Sequence, residues 1–414
     1  MKFELYKTGS ALRWRNTSDF IAHGDPMSVP GSHQVLIAFL TFNASAAALE
    51  VLDKIYKDYP ESHVMVVDNC SHAEHFEKLK SGVANYPSAT LVRTKLNLGG
   101  AGGYALINEL FLRSNYRYLL LTEDDAMPVE GDLVTKLIES RNESDLVCCH
   151  YYNNKSTSFS FHFTLYSRRL IEAAGIPDPR YFQGGDDAEI RDRHFSALKQ
   201  YGTKPLFIDR GYHHPTLKGM GTPAKVIRAQ RNSLLTHVLT GAYLHFFLRA
   251  ALLLAYGFRY LLRGNFTVFK TTLSSCLALP AMNTAGCKLF SILGIHDSLD
   301  SYLTFKGVAT KELVCEAGTP HLQTLLGLKP AGLKSKSVLL TTLESPWVLI
   351  YTIWASKIYV AKNLSEDGRR LDLGEYHIKL RDRVFSVMAF ALAFMMLPLY
   401  GLLFIRNAAG YKTR

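Results

Sequence analysis

The chain is poor in cysteine, with six in 414 residues and no C-x-x-C pair. Cys148 and Cys149 are adjacent, and the other four are scattered. This excludes a disulfide scaffold, argues against structural zinc, and fits reduced thiols in a cytosol-facing protein. Fifteen prolines and 29 glycines are too few for a low-complexity or collagen-like chain. No internal repeat is present. The first residues, MKFELYKTGS, hold no long apolar core, so no signal peptide is expected there. Acidic residues are outnumbered, 36 against 47 Lys plus Arg, which leaves a net charge of +11. Apolar side chains are abundant, and 48% hydrophobic residues exclude a disordered chain. A basic balance on that background points to nucleic acid, an anionic membrane face or a polyanionic ligand.

Residues 1–33 are polar and read as an irregular N-terminal extension. From Val35 onward short apolar runs alternate with helical stretches. Val35–Phe39, Val64–Val67, Ala89–Arg93 and Tyr118–Thr122 read as strands. Ala44–Tyr59, a stretch from His72, and Gly102–Arg113 read as helices. This alternation predicts an α/β fold with an open, mostly parallel sheet. Such sheets bind ligands beyond the carboxyl ends of their strands. After about residue 230 the character changes. Leu234–Leu262 is long and apolar but holds His237, His245, Arg249 and Arg259, which suits a helix lying in a membrane plane. Val384–Ile405 has no charged residue and is long enough to span a bilayer. Pro346–Val360 is apolar, short and broken by Lys357. The predicted domains are 34–232 (catalytic), 233–383 (helical, membrane-interfacial), 384–405 (transmembrane) and 406–414 (basic tail).

Chemistry gathers at the strand ends. The second strand runs into Asp68-Asn69-Cys70-Ser71. An Asp there can accept hydrogen bonds from a base or ribose, although Asp, Asn and Ser also cap helices. The third strand leads into Asn97-Leu-Gly-Gly-Ala-Gly-Gly103, where glycines let backbone approach a diphosphate at a helix N-terminus. Gly100, Gly102 and Ala105 match a dinucleotide fingerprint, and an acidic cluster follows about 20 residues on. The motif follows the third strand, however, and not directly. The fourth strand ends in Glu123-Asp124-Asp125, three carboxylates that repel one another unless a cation offsets them; such oxygen ligands suit Mg2+ or Mn2+. Gly184-Gly185-Asp186-Asp187-Ala188-Glu189 opens a helix with accessible carboxylates, which suit a general base or serve as a cap with first-turn acids. Tyr212-His213-His214-Pro215 ends an apolar run.

Together these stretches resemble the family-two glycosyltransferases of the GT-A (Rossmann-like) fold, nearest to the galactofuranosyl- and rhamnosyltransferase branch. The resemblance covers roughly residues 35–235. VVDNCS resembles the nucleotide-binding strand end, NLGGAGGY the glycine-rich segment, TEDDA the D-x-D metal motif, GGDDAEIRDR the Asp-Asp-x-Glu segment and YHHP the metal-binding His. Two positions depart: Glu123 stands where the first D-x-D carboxylate falls, and Gly185 where a Trp commonly precedes the Asp pair. The resemblance implies Asp68, Asn69, Asn97, Gly100, Gly102, Gly103 and Asp124 on the donor nucleotide. It implies Glu123, Asp125 and His213 on Mn2+ or Mg2+, with His214 the neighbouring choice. Asp187 would be the base, with Asp186 beside it.

The implied activity is an inverting, metal-dependent transfer of galactofuranose or rhamnose from a nucleotide-diphosphate donor to a lipid-linked or cell-surface glycan. No nucleic-acid partner is expected, and a homo-oligomer stays open. The expected location is the inner membrane, with the catalytic domain facing the cytoplasm. The alternatives are a membrane-bound NAD(P)- or flavin-dependent oxidoreductase and a non-catalytic glycan-binding membrane subunit.

Overall fold

The structure is a computed structural model. It describes residues 3–8, 11–24, 34–128, 132–139, 148–150, 163–201, 206–208, 212–213, 228, 230–236, 243–278, 337–340, 357–364, 371–395 and 398. The chain divides into two compact units, Met1–Met220 and Gly221–Arg414.

The first unit begins with a hairpin, β1 (Leu5–Thr8) and β2 (Ala11–Trp14), then a 3-10 turn at Thr17–Phe20 and β3 (Ile21–His23). The βα alternation follows: β4 (Val35–Thr41), α1 (Ser45–Asp58), β5 (His63–Asp68), α2 (Ala73–Val83), β6 (Ala89–Thr94), α3 (Gly99–Arg113) and β7 (Tyr118–Glu123). Beyond lie β8 (Met127–Pro128), α4 (Leu133–Glu139), β9 (Cys148–His150), β10 (Thr164–Ser167), α5 (Arg168–Ala174), α6 (Asp186–Gln200), β11 (Leu206–Ile208) and β12 (Tyr212–His213). Eight strands form one sheet in the order β11-β9-β10-β7-β4-β5-β6-β3. The central strands β7, β4, β5 and β6 run parallel, and β10 and β3 pair antiparallel.

Every residue of β5 is buried, as a strand covered on both faces requires. Helix α1 buries Ala48, Val51, Leu52 and Ile55, one face at helical spacing. These pack with Phe76, Leu79 and Val83 of α2 onto Ile37, Phe39, Val64 and Val66. Helix α3 covers the other face. A Cβ at Gly103 would fall 2.4 Å from the Leu40 methyls, so glycine lets α3 lie close on β4. The strand order reverses between β4 and β7, and this reversal is where open α/β sheets place their ligands.

Residues 1–33 are not an irregular extension where the structure describes them. Trp14 is fully buried against Phe20. Arg13 donates twice to Glu109 of α3, at 2.8 and 2.9 Å, and the Trp14 amide donates to the same carboxylate. β3 extends the sheet at its β6 edge. The physical reason is a buried acid: Glu109 needs these donors to sit inside the fold.

The second unit holds α7 (Tyr243–Leu261) and α8 (Phe266–Ala278), then three strands, β13 (Ser337–Leu340), β14 (Lys357–Leu364) and β15 (Leu371–His377), and α9 (Leu380–Met395). The strands form their own sheet, β13-β14-β15, so 233–383 is not wholly helical. Of the apolar stretch 234–262, residues 237–242 lie outside the described residues. For Val384–Ile405 the described part is α9 and Pro398. Residues 396–397 and 399–405 of that stretch lie outside the described residues. No helix among the described residues is long and apolar enough to cross a membrane.

Candidate active site

The carboxyl ends of the central strands form a row. Thr41 lies opposite Asp68, and Leu40 opposite Glu123, so three strand ends are level. At the usual spacing, Asp68 and Glu123 stand about 10 Å apart across β4.

On the β5 side, Asp68 is fully buried. Its carboxylate accepts from the Ser71 amide at 3.3 Å and pairs with Arg93 at 3.3 Å. Arg93 also donates to the Ser71 carbonyl and lies over the Phe76 ring at 3.9 Å. Asn69 is buried too. Its oxygen accepts from the Leu98 amide at 2.8 Å, and its amide group donates to the Gly99 carbonyl and to Asn97. Asn97 accepts from the Gly99 amide at 2.8 Å. Both asparagines thus fasten the glycine loop to β5.

The glycines divide by role. Gly99 has φ +69°, and a Cβ there would meet the Phe182 carbonyl at 1.9 Å. That carbonyl accepts from the Ala101 amide. Gly102 packs against Leu98 and Gly103 against Leu40. Gly100 faces the acidic site, since its Cβ would sit 3.5 Å from an Asp186 oxygen. The loop leaves β6, the third strand of the array, and two amides at the start of α3 already have protein acceptors. A dinucleotide fingerprint instead leaves the first strand with helix amides turned to the pyrophosphate.

The acids converge at the switch point. Burial, with Asp125 and Glu123 close by, pushes Asp124 up to about 6. Burial, with Asp187 and then Glu123 adding repulsion, pushes Asp186 up to about 7. Asp186 accepts from the Gly184 amide at 2.9 Å, while Asp187 is half-buried in the first turn of α6. Beneath them Tyr104 donates to the Thr122 carbonyl at 3.0 Å. Burial, together with Glu123, Asp124, Asp186 and Asp125, raises its phenol well above the usual range. Two motifs far apart in sequence therefore share one negatively charged spot.

Antiparallel pairing sets His213 opposite Met127, two residues beyond Asp125. The His213 side chain and all of His214 lie outside the described residues. Among the described residues no three His, Cys, Asp or Glu side chains form a ready metal cage. The donor chemistry still fits a divalent cation: hard oxygens, close together, raising one another's proton affinity.

Other residues of the site carried no sequence signal. Helix α6 is held by Arg193, which pairs with Glu189 at 2.6 Å and donates to the Ala174 and Ile176 carbonyls. Arg93 and Phe182 act through position, with no motif of their own.

The parallel sheet with this reversal, the glycine loop off its third strand and the two acidic motifs meeting at the switch point are laid out as the resemblance to the GT-A glycosyltransferases implies. By sequence the chain is similar to known glycosyltransferases. The chain is 23% identical over 199 residues to galactofuranosyltransferase GlfT1 of Mycolicibacterium smegmatis, covering 39% of this chain and 64% of that one. It is 24% identical over 188 residues to its Mycobacterium tuberculosis counterpart, covering 37% and 60%. The match thus spans less than two thirds of either relative. No protein-family model matches. Among solved structures the chain is similar to a mannosyltransferase of Pyrobaculum calidifontis in complex with GDP-Man and Mn2+. The TM-score is 0.41 at 17% identity, over 70% of this chain and 85% of that one. It is also similar to S. aureus TarS, with TM-score 0.38 and 14% identity over 52% and 43%. Similarity at this level fixes neither donor nor acceptor.

Proposed function

We propose that the chain transfers a sugar, galactofuranose or rhamnose, from a nucleotide-diphosphate donor to a lipid-linked or cell-surface glycan, with inversion. The observation that carries this is the convergence of Glu123, Asp124, Asp125 and Asp186 around Tyr104, with Gly100 alongside. The galactofuranosyltransferase relatives support the donor class.

Glu123, Asp125 and His213 would hold Mn2+ or Mg2+, which when bound neutralises charge growing on the leaving nucleoside diphosphate. Asp68 and Asn69 set the nucleoside end of the groove. Asn97 and Gly100 shape the floor beneath the diphosphate, and Gly102 and Gly103 let α3 approach the sheet to form it. Asp124 and Asp186 flank the transferred sugar. Asp187, half-exposed at the start of α6, takes the proton from the acceptor hydroxyl as that oxygen attacks the anomeric carbon. One displacement inverts the carbon, and no enzyme nucleophile is needed.

The test is single-turnover transfer with a panel of nucleotide sugars. Asp187→Ala should lower transfer at least about 100-fold while leaving donor affinity within a few-fold. Undiminished turnover in that variant would remove Asp187 as the base.

A further inference from the structure

In the second unit, α7 and α8 are joined by a tight turn. The Gly264 amide donates to the Leu261 carbonyl, the Asn265 amide donates to the Tyr260 carbonyl, and Gly264 has φ +75° with nothing within 4 Å of where a Cβ would be. The turn thrusts Leu262 and Phe266 outward, 72% and 69% exposed. Helix α9 packs on α7 through Phe390 against Phe247 and Phe385 against Tyr256, so the two helices run antiparallel. The start of α9 is therefore level with the end of α7. Leu380 is 76% exposed there, beside the turn.

Helix α9 carries a second apolar surface. Leu380, Val384, Val387, Met388, Phe394 and Met395 are all exposed. At 100° per residue they fall in one stripe about 120° wide, opposite the buried Ser386 and Ala389. An exposed stripe on a water-facing helix is normally polar. Around its first turn stand exposed cations: Arg259, Arg263, Lys379 and Arg381. The charge of the whole chain follows the same division. Residues 1–220 hold 24 Lys plus Arg against 26 Asp plus Glu, and residues 221–414 hold 23 against 10.

We infer that the α7–α8 turn and the outer stripe of α9 form a docking surface for an anionic phospholipid bilayer. Leu262, Phe266, Leu380 and Val384 enter the acyl boundary. Arg259, Arg263, Lys379 and Arg381 stay at the level of the lipid phosphates. Apolar and basic side chains on one end are what such a surface requires, since neither kind alone holds a protein there. The inference is independent of the donor and acceptor assigned above.

The experiment is flotation of the full chain with vesicles of phosphatidylcholine alone and of phosphatidylcholine with phosphatidylglycerol. The chain should float with the anionic vesicles, and less so as salt rises. Arg259→Glu with Arg263→Glu should lower partition about tenfold or more. Leu262→Asp with Phe266→Asp should lower it comparably. All these side chains are exposed, and unchanged circular dichroism and nucleotide-sugar hydrolysis would confirm intact folding. Equal flotation on neutral and anionic vesicles, or none, overturns the inference. Loss in the charge variant alone would overturn the insertion of Leu262 and Phe266 and leave only a basic patch that adsorbs to anions. Lipid-free dimers dissolved by the apolar variant would instead indicate a second copy of the chain.

Discussion

Asp186 is the residue whose environment speaks most directly. It sits 8% exposed at a helix start, beside two other acids, and is held near 7 by burial first and by their charge second. Its proton is bound more tightly folded than unfolded, where an Asp titrates near 3.9. Between roughly pH 4 and 7 the folded state therefore holds the extra proton, and stability falls as pH rises through that window. In EDTA, Asp186→Asn should flatten this dependence. Wild type should lose on the order of 2 kcal/mol more than the variant between pH 5 and pH 8, read from denaturant midpoints. Superimposable profiles would show that Asp186 is not strained by its neighbours. The residue types here were legible in the sequence, because Asp-Asp after Gly-Gly and three acids after an apolar strand are hard to explain otherwise. Their partners were not. Nothing in the order of residues announces that Arg93 pairs with Asp68, or that Tyr104 lies beneath four carboxylates. Those relations arise only when strands from distant parts of the chain are laid side by side.

At the scale of elements, the glycine loop shows how one motif serves two ends. Gly99 is fixed by a left-handed backbone and by the Phe182 carbonyl, whereas Gly100 has room and faces Asp186. Gly99→Ala should cost roughly 2–4 kcal/mol, from the left-handed penalty plus backbone overlap. Gly100→Ala should leave the thermal midpoint within about 2 °C but weaken donor binding, because the new methyl borders the site. Thermal melts with parallel donor titrations check both. Equal destabilisation by the two substitutions would contradict the division of roles. The strands Val35–Thr41, His63–Asp68, Ala89–Thr94 and Tyr118–Glu123 were readable to within two residues, since buried parallel strands are short unbroken apolar runs. The N-terminal hairpin was not, because its reason for ordering, the buried Glu109, lies nearly a hundred residues away. The sheet of the second unit was also missed. LDLGEYH alternates apolar and polar residues only over its first three positions, and the hydropathy of the surrounding segments suits helices as well as strands.

For the whole molecule, the net charge of +11 proves to be a property of one unit. The first is close to neutral, with a cluster of its acids at the switch point, and the second carries the excess. Composition alone left nucleic acid, membrane and polyanion open. At the topological switch point the structure places acids, not cations, so an anion bound there needs a cation between. The central claim is that this acidic point binds a nucleotide diphosphate through a divalent cation. Titration calorimetry of UDP into the full chain, with Mn2+ and with EDTA, tests it most directly, alongside Asp125→Ala and a parallel titration of NADH. The account predicts UDP binding that needs Mn2+, is lost in Asp125→Ala, and has no counterpart with NADH. UDP binding that is equal in EDTA and in the variant, or tight NADH binding without metal, would contradict it.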